Sequence, residues 1–373
     1  MPNRITIGVD VRDLKLAKTG TKTYLEELCT AFKQLESDDY QFKFLDTNIP
    51  VYAGTSKIGK YIEHFRYQIW KQLVLPIRAY INHCDVLFCT DNFVPLVKLG
   101  YKTVPVFHDA FFFEDPADYG KLWLKLYHLT AVPAAKNSVF IVTPSVYAQQ
   151  QIHKHTGIPL SSLKVVYEGP KTLEATPGED ILARLKLQHQ SYILHVGSMF
   201  KRKNIPALVY AFKQLKDNTQ TSVKLVLAGP STASKDSNDL AAVLEAIKIT
   251  GLTEEVILTG YLSDSELAGI YAGALMYVFP SNNEGFGIPV LEAFKYNLPV
   301  LVADNTCLPE IGGDAVLTFD PFDTEDIYLK MKITLQDESL RQDLINKGQI
   351  RLQDFSWVKT SLQLLALFKE IRK

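Results

Sequence analysis

Cysteine is scarce in this chain. Only four occur in 373 residues, Cys29, Cys84, Cys89 and Cys307, and no two form a C-x-x-C pair, so the sequence offers neither a disulfide framework nor a zinc-finger spacing. Free buried thiols in a reducing compartment are expected. An excess of charge of one sign is also missing: 40 Lys and Arg stand against 41 Asp and Glu, a formal net charge of -1. Without a global positive field, nucleic acid is not an expected partner, and an anionic surface could be met only by a local patch. No apolar run approaches the roughly 18 to 20 residues that span a bilayer. The opening MPNRITIGVDVRD lacks the charged and apolar regions of a secretory leader. These absences point to a cytoplasmic protein, at most peripheral at the inner face of the membrane. No G-x-G-x-x-G follows the first strand-like run, which disfavours a dinucleotide-dependent dehydrogenase.

What is present is an ordinary globular composition, 47% hydrophobic and 22% charged, long enough for two domains. Short β-rich runs alternate with helical patterns, which predicts parallel sheets in an α/β fold. One set of strands is expected at Ile5 to Val11, Tyr40 to Leu45, Asp85 to Cys89, Thr103 to Phe107 and Val139 to Val142. A second is expected at Tyr192 to Val196, Val223 to Ala228, Val256 to Thr259, Met276 to Phe279 and Pro299 to Val302. Between them EGPKTLEATPG, from Glu168 to Gly178, has turn formers and no apolar period. The expected division is a Rossmann-like domain over 1–170, a linker over 171–184 and a second such domain over 185–355. A final helix over 356–373, with a Leu362, Leu365, Phe368 face, is expected to complete the first domain. Ligands of doubly wound sheets bind beyond the carboxyl ends of the strands, so the chemistry is sought in those loops, at a cleft between the domains.

The most informative loop is PSNNEGFGIPVLEAF, from Pro280 to Phe294. A strand ends at Phe279, Gly285 and Gly287 allow close approach to the backbone, and Pro289 suits the first turn of a helix. Backbone amides there can donate to an anion or to sugar hydroxyls. Glu284 and Glu292 frame the cradle, and a carboxylate accepts two hydrogen bonds from a vicinal diol. A capping box formed by Ser281 and Glu284 is the plainer alternative, although Gly-Phe-Gly follows where an apolar helical run would be needed. A second loop, GSMFKRKN from Gly197 to Asn204, carries three consecutive cations, and a solvated turn is its plainer reading.

Together these stretches resemble the retaining glycosyltransferases of family 4. The resemblance rests on the E-x7-E pattern of Glu284 and Glu292, on VGSMFKRKN, on LPEIGGDAVL from Leu308 to Leu317, on FHDA from Phe107 to Ala110, on TGTKTY from Thr19 to Tyr24, and on FSW near the end. It implies a GT-B fold and a sugar transferred from a nucleotide diphosphate donor to a glycan, lipid-linked or other acceptor, in cell-envelope or exopolysaccharide synthesis. It also implies residue roles. Glu284 and His108 would lie at the transferred sugar as catalytic residues, the backbone of Gly285, Phe286 and Gly287 at its hydroxyls, and Glu292 at the ribose. Gly20, Ser198, Arg202 and Lys203 would lie near the diphosphate. Ser198 stands where many relatives have Arg, and Lys22 replaces the second glycine of T-G-x-G. The D-x-D of metal-dependent sugar transferases is absent, so no metal and no cofactor beyond the substrates are expected. His195, inside a strand, reads as structural. A nucleotide-sugar epimerase of the same fold, or a non-catalytic sugar-nucleotide-binding subunit, are the alternatives.

One further segment stands apart. A helix over Ile58 to Tyr80 combines an Ile58, Ile62, Phe65, Ile69, Leu73 stripe with Lys57, Lys60, Arg66, Lys71 and Arg78. Packing of the stripe into the core is the default expectation. Peripheral membrane contact through 57–80 is the sharper one.

Overall fold

The computed structural model of the chain describes residues 4–15, 20–47, 49–52, 54, 56–173, 181–230 and 239–371, without the side chains of Lys57, Lys60, Asp118 and Asp239. It divides into two units, Met1–Glu168 with Ser356–Lys373, and Gly169–Phe355.

In the first unit the apolar runs form strands β1 (Ile5–Asp10), β2 (Tyr40–Leu45), β3 (Val86–Cys89), β4 (Lys102–Pro105), β5 (Ile141–Thr143) and β6 (Leu163–Val165). The first four make a parallel sheet in the order β2-β1-β3-β4, and β5 pairs with β6. A bridge between Val106 and Val142 joins the two sets. The chain reverses direction across the sheet between β1 and β3, the kind of switch point at which doubly wound sheets open to ligands. The Gly20–Gln34 helix buries Tyr24, Leu25, Leu28 and Phe32, which helical spacing brings onto one face. Against it packs the Trp357–Glu370 helix, started by Ser356, whose hydroxyl accepts from the Lys359 amide. Trp357 meets Tyr24 edge-on at 5.5 Å, and Thr360 donates to the Tyr167 carbonyl at 2.7 Å. Leu365 and Phe368 are buried as expected, but Leu362 is exposed and Leu364 takes its place in the core.

The expected Ile58 to Tyr80 helix differs more. It is an α-helix over Lys57–Ile69, a wider π turn over Trp70–Val74 and a second α-helix over Leu75–Ile81. The extra residue in the turn shifts the helical phase, and two adjacent residues, Trp70 and Lys71, enter the interior. Trp70 Nε1 donates to Asp10 at 3.1 Å, and Lys71 bridges Asp10 and Asp91 at the ends of β1 and β3. Asp10, Cys89 and Asp91 also lie within 4.8 Å of one another at this switch point. Lys71 is therefore a buried structural cation and not part of a basic surface. The apolar stripe goes the other way: Ile58, Ile62, Phe65 and Leu73 are 48 to 73% exposed, so it is not core.

The second unit is one parallel sheet of β7 (Tyr192–Val196), β8 (Lys224–Ala228), β9 (Val256–Gly260), β10 (Met276–Phe279), β11 (Val300–Ala303) and β12 (Val316–Phe319). Its order is β12-β11-β10-β7-β8-β9, so the switch point falls between β7 and β10. Those are the strands that lead into the cationic loop and the glutamate loop. The division between the units lies at Glu168, two residues earlier than expected. Part of the expected linker, 174–180, is outside the described residues. Another part, Ile181–Arg184, is a short helix packed on the Asp264–Ala272 helix, with Leu182 filling the space beside Gly273.

Candidate active site

Two loops at the β7/β10 switch point are laced together. After β7 the chain makes a tight turn over Lys201–Lys203, closed by Asn204 in the left-handed region at φ 55°, and enters the Ile205–Thr219 helix. After β10 the glutamate loop runs to Gly287. The Asn282 amide donates to the Arg202 carbonyl at 2.7 Å, and Ser281 Oγ lies 2.9 Å from the same oxygen. Gly287 begins the Ile288–Lys295 helix at φ 95°, and a Cβ there would stand 2.8 Å from Leu308, so glycine is required for both backbone angle and space. Ser281 makes no capping box. Its hydroxyl lies 2.7 Å from Glu284 Oε1, and the helix starts seven residues after it, at Ile288.

Glu284 gathers the cations. Lys203 Nζ lies 2.5 Å and Arg202 Nη1 3.0 Å from its Oε1, and all three side chains are largely out of solvent. Burial alone would push the Glu284 carboxyl up; Lys203 and Arg202 overcome that and hold it below the ordinary glutamate value. Burial and the neighbouring Arg202 pull the Lys203 ammonium down, against Glu284. The Phe279 ring lies 4.7 Å from Lys203 Nζ, an added cation–π contact. Cys307 donates its thiol to the Glu284 carbonyl at 3.3 Å, and Asn305 donates to the Asn282 carbonyl at 2.9 Å. The loop is thus fixed from three sides before any ligand arrives.

Glu292 has a different environment. It is buried on the Ile288–Lys295 helix, and its Oε2 accepts the Tyr271 hydroxyl at 2.7 Å. Burial pushes its carboxyl up to about 6, with the Tyr271 hydrogen bond opposing. Tyr296 stacks on Tyr271 at 5.6 Å and holds that ring in place. Phe286 turns its side chain into the core against Phe355. Ser198 sits in the half-buried loop after β7. His195 is fully buried, with Nδ1 3.0 Å from the Val278 carbonyl, and burial lowers its pKa to about 4: a neutral structural residue, as read from the sequence.

The remaining expected site residues belong to the first unit. His108 follows β4 with a fifth of its side chain exposed; Nε2 lies 2.9 Å from the Thr90 carbonyl and Nδ1 3.4 Å from Glu168. Burial alone would lower its pKa, but Glu168 and the Thr90 carbonyl outweigh burial and raise it. Gly20 opens the Gly20–Gln34 helix, where a Cβ would meet nothing within 4 Å among the described residues. Its described backbone does not require glycine, but the space above it is open. Thr19 lies outside the described residues, and Lys22 is half-buried and paired with Glu26 at 3.4 Å.

Sequence reasoning missed Tyr271, the partner of Glu292, and Glu168, the partner of His108. Tyr271 sits at an ordinary helical spacing, and Glu168 lay in a stretch read as linker; neither carried a signal of its own.

Residues 179–351 match the family model of glycosyl transferases group 1. O-antigen chain mannosyltransferase B of Escherichia coli is 29% identical over 311 residues, 82% of this chain and 78% of the relative. Serotype-specific mannosyltransferase WbdA of Escherichia coli is 27% identical over 350 residues, 90% of this chain but 42% of that longer protein. Among solved structures, Anabaena Alr3699/HepE in complex with UDP-glucose superposes with a TM-score of 0.72 at 16% identity, over 98% of this chain and 100% of that one. The likeness gives the chain a GT-B fold.

Proposed function

We propose, from the premise that the chain is a glycosyltransferase whose C-terminal half belongs to group 1, that it is a retaining enzyme. It moves a hexose from a nucleotide diphosphate donor onto a glycan or lipid-linked acceptor in cell-envelope polysaccharide synthesis. The observation that supports this reading best is the contrast between the two glutamates. Glu284 is a carboxylate tied to two cations at a switch point, and Glu292, eight residues on, is buried against the hydroxyl of Tyr271. When a donor binds, its diphosphate competes with Glu284 for Arg202 and Lys203, which neutralise the charge that grows on the leaving group. In this reading Glu284 and His108 are the catalytic residues, the backbone of Gly285 to Gly287 meets the sugar hydroxyls, and Glu292 receives the ribose diol. Thermal melts with UDP, GDP and ADP, followed by their hexose derivatives, identify the donor. The mannosyl transfer named for the two Escherichia coli relatives makes a mannosyl nucleotide the first to test. Product analysis with donor alone separates transfer from epimerisation, and stabilisation by the donor with no turnover on any acceptor would leave a binding subunit.

Arg202 and Lys203 supply the positive charge at the diphosphate, so transfer is expected to persist in excess chelator. Activity that vanishes with EDTA and returns with magnesium or manganese would overturn this.

Peripheral membrane contact belongs to the same reading. Ile58, Tyr61, Ile62 and Phe65 lie on one face of the Lys57–Ile69 helix and are all 48 to 73% exposed. Replacing Ile62 and Phe65 by serine is expected to abolish sedimentation with anionic liposomes. Equal binding by the variant would show that this face does not enter the bilayer. No helix among the described residues is long and apolar enough to cross one.

A further inference from the structure

His108 is held from two sides by groups that can only accept. One is the Thr90 carbonyl, 2.9 Å from Nε2, and the other is a carboxylate oxygen of Glu168, 3.4 Å from Nδ1. A ring that serves both carries a proton on each nitrogen. Glu168 is 4% exposed and stands just after β6, at the end of the first unit's main segment. A buried carboxylate is costly unless a positive group compensates it, and His108 is the partner placed against it. The other titratable groups facing the ring are Tyr24 of the Gly20–Gln34 helix and Asp109, the next residue. Tyr24 meets the imidazole edge-on at 4.8 Å, and its buried hydroxyl has no hydrogen-bond partner among the described residues. Burial and Glu168 push that hydroxyl well above the ordinary tyrosine value, so it adds no charge. Asp109 receives the Phe111 amide at 3.1 Å and adds a weaker attraction for a proton on the ring.

We infer that Glu168 is a positioning residue of the transferase: it fixes the orientation of His108 and favours the cationic form of the ring, so that the donor meets an imidazolium. This rests on the reading of His108 as a donor contact. The raised pKa of His108 agrees with it, and Glu168 leads the interactions that raise it. A raised folded-state pKa gives a contribution to stability that is full below the unfolded value, about 6.5 for histidine, and is lost as pH rises through the folded value. The same window applies to catalysis, because the cationic ring is lost there.

The test follows the ring nitrogens of His108 by NMR across the pH range in wild type and in Glu168→Gln, with His108→Asn to assign the signal. Glutamine keeps the shape and an acceptor oxygen but removes the charge. The ring is expected to titrate above the ordinary histidine value in the wild type and at lower pH in the variant. In parallel, kcat/KM of Glu168→Gln should fall about tenfold at the alkaline end of its profile and converge on the wild type at the acid end. A residue that only braces the fold would lower the whole profile evenly. Equal titration midpoints in the two proteins would overturn the pairing. Should Glu168→Gln fail to fold by circular dichroism, the wild type decides alone: a ring that titrates at or below about 6.5 refutes the inference. If the titration moves as expected while His108→Asn transfers sugar at the wild-type rate, the pairing stands and the placement of His108 at the donor fails.

Discussion

Glu284→Gln is expected to lower both stability and turnover, for separate reasons. The carboxylate is the counter-charge of a buried Lys203 and of Arg202. Removing one partner of such a pair leaves an uncompensated charge and typically costs about 3 to 5 kcal/mol. Some of that is recovered if Lys203 gives up its proton, the direction in which burial already pulls it. A nucleotide diphosphate brings a new counter-charge, so the bare nucleotide should raise the melting temperature of the variant more than that of the wild type. Its affinity should be unchanged or tighter. Turnover has another origin. If Glu284 stabilises the transferring sugar, the loss of its charge should lower kcat by roughly 100- to 1,000-fold, the range found for single preorganised electrostatic groups. Melts with and without nucleotide, calorimetry and initial rates measure the three quantities on one preparation. Turnover near the wild-type value, or a bare nucleotide bound as weakly as by Glu292→Gln, would break the assigned division of labour.

The same pair shows how far a sequence carries such an argument. Strand–loop–helix order, the glycines and Pro289 were sufficient to place Glu284 and Glu292 on one loop and one helix, because local chain geometry decides those positions. That Lys203 and Arg202 would close on Glu284 was not legible, since 81 and 82 residues separate them and the order β10-β7 alone brings their loops together. Tyr271 was hidden because it sits at an ordinary helical spacing, 21 residues before Glu292. The Lys57–Ile81 segment failed in the opposite way. Its 3.6-residue stripe was real, but a stripe says only that a helix has an apolar face, not what covers that face. Here a π turn and the Asp10–Lys71–Asp91 network turn Trp70 and Lys71 inward and leave Ile58, Ile62 and Phe65 outside. The short strands β6 and β12 were not foreseen either.

Glu292→Gln is expected to stabilise the protein while weakening its ligand. Burial raises the Glu292 carboxyl from 4.5 to about 6, with the Tyr271 hydroxyl opposing. The folded chain therefore holds this proton more tightly than the unfolded one, and wild-type stability falls as pH rises through that window. A rise of this size corresponds to about 2 kcal/mol. Glutamine fills the same space, can still accept from Tyr271 and has no proton to lose. The variant should thus match the wild type below about pH 4.5, gain on it between 4.5 and 6, and keep an advantage of about 2 kcal/mol at neutral pH. Denaturant melts at a series of pH values follow that curve. Binding should move the other way. Hydrogen bonds to a charged acceptor are worth roughly 1.5 to 3 kcal/mol, so if Glu292 receives the ribose diol as proposed, loss of its charge should weaken a sugar nucleotide by about tenfold or more at neutral pH. Wild-type affinity should decline as pH falls through about 6, and the affinity of the variant should stay level there. A sugar nucleotide is the right probe because its bridged diphosphate has no second proton to take up in this range. A variant that is less stable than the wild type at neutral pH, or that binds the sugar nucleotide equally well, would show that Glu292 is held for packing and not for the ribose.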